Sequence, residues 1–521
     1  MQLEILMALG GFLLLMCIFA NRISSKLGIP SLLVFLAVGM IAGSDGAGIQ
    51  FYSAKLSNYI GSFALAFILF AGGLETNWLS VKSVLGRGTL LATGGVALTA
   101  VIMLLLSYYL LGMPFPIALL LSVILSSTDA PAVFNILRTN GLYLNNPRLK
   151  SLLEYESGSN DPMAVILSVG AITFLTAGGQ FSVMHLLVML FLQMGLGIVL
   201  GYGLGMSALA LLKKFSFVYQ GLYPVFGVSV VCLIFSLTQL IGGNGYLAIY
   251  IAGIVLGNAS YPYKNPFIQF QSALSWVMQI LMFLTLGLFV NPKELGAVFS
   301  TALSATVCLV MIARPVTVFL CLAKSDYSRG EKLFVSWAGL KGAVPIILAT
   351  YPLMAGIDGA RYLFNVIFFL VIVSVLLQGQ TLTSLARFLE LSHETPTPEE
   401  LKEMGGPIGA PTGLQEAPQV YVSFRSRLLH LAMDSINALL SLIDWHIHSE
   451  TEQLKPVSGM WNKIKRQVYI RLKQLHAYCL EQDLAEAKKK AEEDLAQRRS
   501  EDEQVNPILF RIRHIDKKNK N

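Results

Sequence analysis

The chain has 521 residues, 54% of them hydrophobic and only 13% charged, with a mean hydropathy of +0.62, more apolar surface than a soluble domain can bury. The formal net charge of +7 belongs to residues 1–390, because residues 391–521 balance 19 Lys and Arg against 19 Asp and Glu. A basic excess in loops between apolar runs needs no nucleic-acid partner, and five scattered cysteines (Cys17, Cys232, Cys308, Cys321 and Cys479) without CxxC spacing indicate neither a disulfide framework nor a metal site.

Runs near 3–20, 30–44, 58–75, 88–111, 115–137, 151–176, 183–212, 219–241, 244–258, 267–290, 296–323, 331–354 and 361–388 are candidates to cross about 30 Å of hydrocarbon, with allowance for short or broken ones. The reading is an all-α polytopic membrane protein of about thirteen spans. The first run lacks a positive flank and a cleavage site, so it reads as a retained span. Alternate loops carry Arg22, Lys26, Lys82, Arg87, Arg138, Arg148, Lys150, Lys213, Lys214, Lys264, Lys324, Arg329 and Lys332. The other set carries only Lys55, Lys293 and Arg361, which places the N-terminus outside (periplasmic) and the tail in the cytoplasm.

Span five contains Ser126-Ser127-Thr128-Asp129-Ala130-Pro131. Proline removes a helix hydrogen bond, and Ser, Thr and Asp favour helix ends, so this span is expected to break. Span six contains Glu154-Tyr155-Glu156-Ser157-Gly158-Ser159-Asn160-Asp161-Pro162. Asp161 follows Lys150 by eleven residues, which at 1.5 Å per residue is about 16 Å of depth. Arg314 in span eleven and Lys341 in span twelve fall at similar depth, as does Asp129. Span twelve, with Gly339-Leu340-Lys341-Gly342-Ala343-Val344-Pro345, is also expected to break. An ionisable group at this depth costs at least about 2.5–3.5 kcal/mol. Asp129, Glu156 and Asp161 against Arg314 and Lys341 leave one acid over, read as functional, with the bases as structural partners. Paired interrupted helices in two halves of a membrane protein mark the site of an inverted-repeat transporter.

No zinc set forms from His185, which stands alone in a membrane run, or from His446 and His448 in the tail. Residues 391–418 read as a Pro- and Gly-rich linker, and 419–521 as a cytoplasmic helical, partly disordered tail with an amphipathic stretch at 422–445 and a highly charged one at 459–499.

Four separated segments carry a family resemblance: Ser-Thr-Asp-Ala in span five, Glu-Ser-Gly-Ser-Asn-Asp-Pro in span six, Ala-Arg-Pro at 313–315, and Ser-Trp-Ala-Gly-Leu-Lys-Gly-Ala-Val-Pro at 336–345. Together they resemble the sodium/proton exchanger type of monovalent cation/proton antiporters, closest to the bacterial cell-volume-regulation branch of potassium/proton antiporters. The resemblance covers roughly residues 1–390 and implies a bacterial inner-membrane transporter, not an enzyme. It also implies thirteen helices with a dimerisation domain and hence a homodimer, inverted repeats, and a core with two crossed, broken helices. Asp161 is then the shared cation and proton site, supported by Thr128, Asp129, Ser157 and Asn160. Glu156 and Arg314 match a structural ion pair, and Lys341 stands where the family usually has arginine.

These residues permit competition at one carboxylate, with a cation or a proton neutralising Asp161 and only the neutralised forms crossing. Because residue 160 is asparagine, the expected exchange is one cation for one proton, electroneutral, without a cofactor. Oxygen ligands alone do not separate K+ from Na+. K+ follows from the resemblance, with a Na+/H+ antiporter as the alternative and a cation channel as a weaker one, because a titratable acid beside two broken helices suits alternating access better than an open file of sites.

Overall fold

A computed structural model describes residues 2–27, 30–177, 183–214 and 219–393. The linker and tail expected after 391, with His446 and His448, fall almost wholly outside the described residues, as does the side chain of His185.

Among the described residues, eight helices are long and apolar enough to cross a membrane: Ala54–Glu75, Leu85–Leu110, Pro147–Thr176, Leu187–Lys214, Leu222–Leu240, Lys264–Phe289, Pro292–Cys321 and Ala360–Phe388. Five shorter apolar helices join them, Met7–Ala20, Ser31–Ala42, Phe115–Ile124, Gly245–Gly257 and Ala343–Met354. Their starts follow local chemistry. Ser53, Asn146 and Asn244 accept hydrogen bonds from backbone N–H groups in the first turns of Ala54–Glu75, Pro147–Thr176 and Gly245–Gly257, and Ser328 with Glu331 forms a capping box at Arg329–Trp337, so each satisfies orphan donors of its helix end.

The helices fall into two groups. Ser31–Ala42, Ala54–Glu75, Val183–Lys214, Gly245–Gly257 and Lys264–Phe289 pack mainly on one another. The second group gathers around Pro147–Thr176 and Ala360–Phe388. Within the first, Gly73 and Gly253 meet backbone to backbone, and a Cβ on Gly73 would lie 3.1 Å from the Gly253 Cα. Such close approach of helices in an apolar phase takes residues without side chains. A short antiparallel pair, Tyr143–Leu144 with Ser392–His393, fastens the end of Ala360–Phe388 to the loop before Pro147.

Both expected breaks are present. The chain leaves Phe115–Ile124 and restarts at Ala130–Thr139, and it leaves Arg329–Trp337 and restarts at Ala343–Leu348. Pro131 thereby sits in the first turn of its half-helix, where a missing N–H is no loss. Pro162, by contrast, lies inside a helix that continues through it, with its carbonyl accepting a hydrogen bond from Asn244 Nδ2 at 3.2 Å.

Candidate functional site

The two breaks touch: the Asp129 N–H donates to the Leu340 carbonyl at 2.9 Å. An unwound segment among apolar helices exposes backbone polar groups, and burying them unpaired is costly. Helix Pro147–Thr176 supplies partners for the first break. Ser157 Oγ donates to the Thr128 carbonyl (2.9 Å) and accepts from the Ala130 N–H (3.0 Å). Asn160 Nδ2 donates to Thr128 Oγ1 at 2.6 Å, and Asn160 Oδ1 accepts from the Thr128 N–H at 3.4 Å. Thr128, Ser157 and Asn160, singled out from the sequence, are thus one buried network. Asp129 ends the break as the N-cap of Ala130–Thr139, its Oδ1 accepting from the Ala132 N–H at 3.1 Å.

Asp161 follows Asn160 and is 8% exposed. It lines a cavity of about 340 Å³ together with Ser127, Thr128, Asp129, Ser157 and Gly342. Along Ala54–Glu75 the cavity wall runs from Leu65 to Glu75. Before Leu65 the same helix is closed against the second broken helix. A Cβ on Gly61 would lie 2.9 Å from Ile347 Cγ1, and buried Asn58 Nδ2 donates to Thr350 Oγ1 at 2.9 Å.

The charges sort themselves by partner. Arg314 Nη2 lies 2.6 Å from Glu156 Oε1, with the two side chains 4% and 1% exposed. Gly339 admits this arginine, since a Cβ there would lie 2.7 Å from Arg314 Nε. Lys341 Nζ does not pair with a carboxylate: it donates to the Ser127 carbonyl at 2.6 Å, at the end of the first half-helix. Among the described residues no Lys or Arg nitrogen lies within 4.0 Å of an Asp161 or Asp129 oxygen. The charge count therefore differs from the expectation of one surplus acid. Two carboxylates lack an ion-pair partner because the lysine is taken by a backbone carbonyl, and of those two Asp129 is engaged as a helix cap.

Sequence reasoning passed over Ser374 and Gln378, which serve the second break as Ser157 and Asn160 serve the first. Ser374 Oγ accepts from the Lys341 N–H at 3.3 Å, and Gln378 Nε2 donates to the Trp337 carbonyl at 2.8 Å. Their signal was a polar stripe, Ser374, Gln378 and Thr381, at spacings of four and three on one face of an apolar helix.

Asp161 is thus a buried carboxylate on the wall of a cavity that Ser127, Thr128 and Ser157 also line. Residues 11–388 match the sodium/hydrogen exchanger transmembrane family. The chain is 41% identical over 387 residues to a protein of Shewanella oneidensis named K(+)/H(+) antiporter NhaP2, an alignment covering 74% of this chain and 67% of that one. It is 28% identical over 382 residues, 70% of each chain, to a protein of Aphanothece halophytica named Na(+)/H(+) antiporter ApNhaP. Among solved structures it is similar to the sodium proton antiporter MjNhaP1 of Methanocaldococcus jannaschii, with a TM-score of 0.63 at 24% identity, covering 73% of this chain and 100% of that one.

Proposed function

The chain belongs to the sodium/hydrogen exchanger family, and we propose that it exchanges K+ for H+ at Asp161 by alternating access. It is a multi-pass membrane protein and a monovalent cation/proton antiporter. The observation that carries the reading of the site is the position of Asp161: on the cavity wall, beside both helix breaks, with no ion-pair partner within 4.0 Å among the described residues.

A bare carboxylate there is held among buried side chains, and carrying it across the barrier alone would cost several kcal/mol. Cation or proton neutralises it, and the two exclude each other. Ser157, Asn160 and Thr128 fix the backbone of the first break, Asp129 holds the restart of the first half-helix, and Glu156 with Arg314 forms a buried ion pair beside Gly339 of the second break. Because residue 160 is asparagine, only one side chain of the Asn160–Asp161 pair titrates, which favours one cation for one proton and electroneutral exchange.

Along Ala54–Glu75 the cavity is lined from Leu65 onward, and before it the Asn58–Thr350 hydrogen bond joins the two helix groups; on this reading that contact is the barrier. Access from the far side requires that contact to part. Counting the eight long helices and five shorter ones as spans gives thirteen, and the two breaks, each bonded by the following helix, fit an inverted-repeat arrangement. The distribution of Lys and Arg favours a periplasmic N-terminus and a cytoplasmic tail in a bacterial inner membrane. A homodimer fits the large apolar side chains exposed on the first helix and on Val183–Lys214, among them Phe19 and Phe191. K+ is favoured over Na+ because the relative named for K+ stands at 41% identity and that named for Na+ at 28%.

The test is pH change inside everted membrane vesicles after separate additions of potassium and sodium chloride. A larger response to K+ supports the reading. A response to Na+ alone overturns the cation assignment, and current without proton coupling overturns antiport.

A further inference from the structure

Helix Ala360–Phe388 is the most enclosed of the long apolar helices, yet it carries Ser374, Gln378 and Thr381, all fully buried, along one face. Polar groups so placed stay only if bonded. Ser374 Oγ donates to Gln378 Oε1 at 2.5 Å while accepting from the Lys341 N–H, and Gln378 Nε2 donates to the Trp337 carbonyl. Thr381 Oγ1 accepts from Trp337 Nε1 at 2.9 Å. Trp337 is the last residue before the second break and Lys341 lies inside it. The stripe therefore bridges the gap and fixes where the backbone at Lys341 stands.

From that backbone the Lys341 side chain reaches the Ser127 carbonyl, and Ser127 lines the same cavity as Asp161. Lys341 and Asp161 are thus joined through Ser127 and its cavity wall without forming an ion pair. Lysine is a compact point charge on a flexible stem, with nothing in its own chemistry to prefer a carbonyl over a carboxylate. We infer that Ser374 and Gln378 are positioning residues of the exchange site, holding Lys341 on the Ser127 carbonyl so that its ammonium does not occupy Asp161 in place of the transported cation. This rests on the assignment of Asp161 as the cation site. Without the stripe, Lys341 becomes a tethered competitor: it raises the cation concentration needed to fill the site without slowing the filled carrier.

The test uses the full-length protein, with potassium chloride as probe and choline chloride as ionic-strength control. Two quantities are read: the KM and maximal rate of cation-driven exchange in vesicles, and the potassium concentration that half-maximally raises thermal stability in detergent, a binding measure that needs no transport. Gln378→Met and Ser374→Ala are expected to raise both concentrations about tenfold, the factor of one competing charge-assisted hydrogen bond, with maximal rate retained. Ser374→Thr keeps the hydroxyl and is expected to behave as the parent does. In a Lys341→Met background, adding Gln378→Met is expected to change neither concentration, because the competitor is gone. A fall in maximal rate with unchanged KM and unchanged binding overturns the inference, and so does an equal shift in the Lys341→Met background. Should Gln378→Met fail to insert, Ser374→Ala, which removes a single hydroxyl, decides the same comparison. Asp161→Asn separates the two levels. If potassium still stabilises that variant, the site assignment fails and takes the inference with it; if stabilisation is lost while Gln378→Met leaves binding unchanged, the inference alone fails.

Discussion

At 125–129 and again at 338–342 the chain stops one helix and starts another, and in both places a neighbouring helix bonds the backbone groups set free: Ser157 and Asn160 in the first case, Ser374 and Gln378 in the second. What differs is the charge. Both breaks reach the cavity, the second through Gly342, but the first ends on the capping carboxylate of Asp129. The second carries a lysine that is 1% exposed and whose amine crosses over to the first break. A polar pair on the adjacent helix is thus what any break in an apolar bundle requires, whereas an acid next to that pair is what the chemistry adds. The backbone support is shared by both halves; the acid facing the cavity belongs to one.

The largest test of that division is removal of the acid. Asp161→Asn keeps the size and the neighbouring Asn160 network, so the protein is expected to insert and fold while cation-driven pH change in everted vesicles falls to background. Substantial remaining exchange would place the chemistry elsewhere in the cavity.

Next in size is the ion pair beside the second break. Arg314→Ala leaves Glu156 buried and uncompensated, a change that costs about 3–5 kcal/mol where it has been measured in soluble proteins. Thermal stability in detergent is expected to drop accordingly, and adding Glu156→Gln is expected to restore part of it. Strict additivity of the two substitutions would mean that the 2.6 Å contact carries no coupling.

Much of this was legible in the sequence because the breaks are written in residues with strong local consequences. Pro131, Pro345 and the glycines around Lys341 announce where a helix cannot continue, and the depth of Asp161 follows from counting residues past Lys150. Pairing was not legible. Charge counting gave Lys341 a carboxylate partner, but the lysine ends on the Ser127 carbonyl, because half-helix ends offer backbone acceptors that no charge tally includes. Nor does a serine and a glutamine in an apolar run announce a partner: the stripe is visible, its target is not, until the fold places Trp337 and Lys341 beside it. Pro162 taught the reverse lesson, since its helix runs on through the proline.

Competition at the first break gives a graded effect. If proton and cation contend for Asp161, the apparent cation KM climbs about tenfold for each pH unit below the site pKa, because each unit leaves tenfold less free carboxylate. Maximal turnover changes little, since saturating cation displaces the proton. The measurement is initial exchange rate against cation concentration at several pH values, starting with equal pH on both sides so that only the cation gradient drives. A KM independent of pH, with turnover falling instead, would assign the proton to a separate group, and Glu156 would be the first to test.

The smallest effect separates the two carboxylates that lack ion-pair partners. Asp129 bonds the Ala132 N–H as a helix cap, a task that asparagine also performs, whereas alanine leaves the donor unsatisfied at a cost of about 0.5–2 kcal/mol. Asp129→Asn is therefore expected to keep nearly the full thermal stability, and Asp129→Ala to lose about 1 kcal/mol. If Asp129 serves the first break only through that oxygen, the asparagine variant also keeps cation-driven exchange, because the transported charge is carried by Asp161 alone. Loss of exchange in a stable Asp129→Asn variant would mean that the first break needs both acids, and the one-cation, one-proton stoichiometry drawn from a single titrating group would have to be given up.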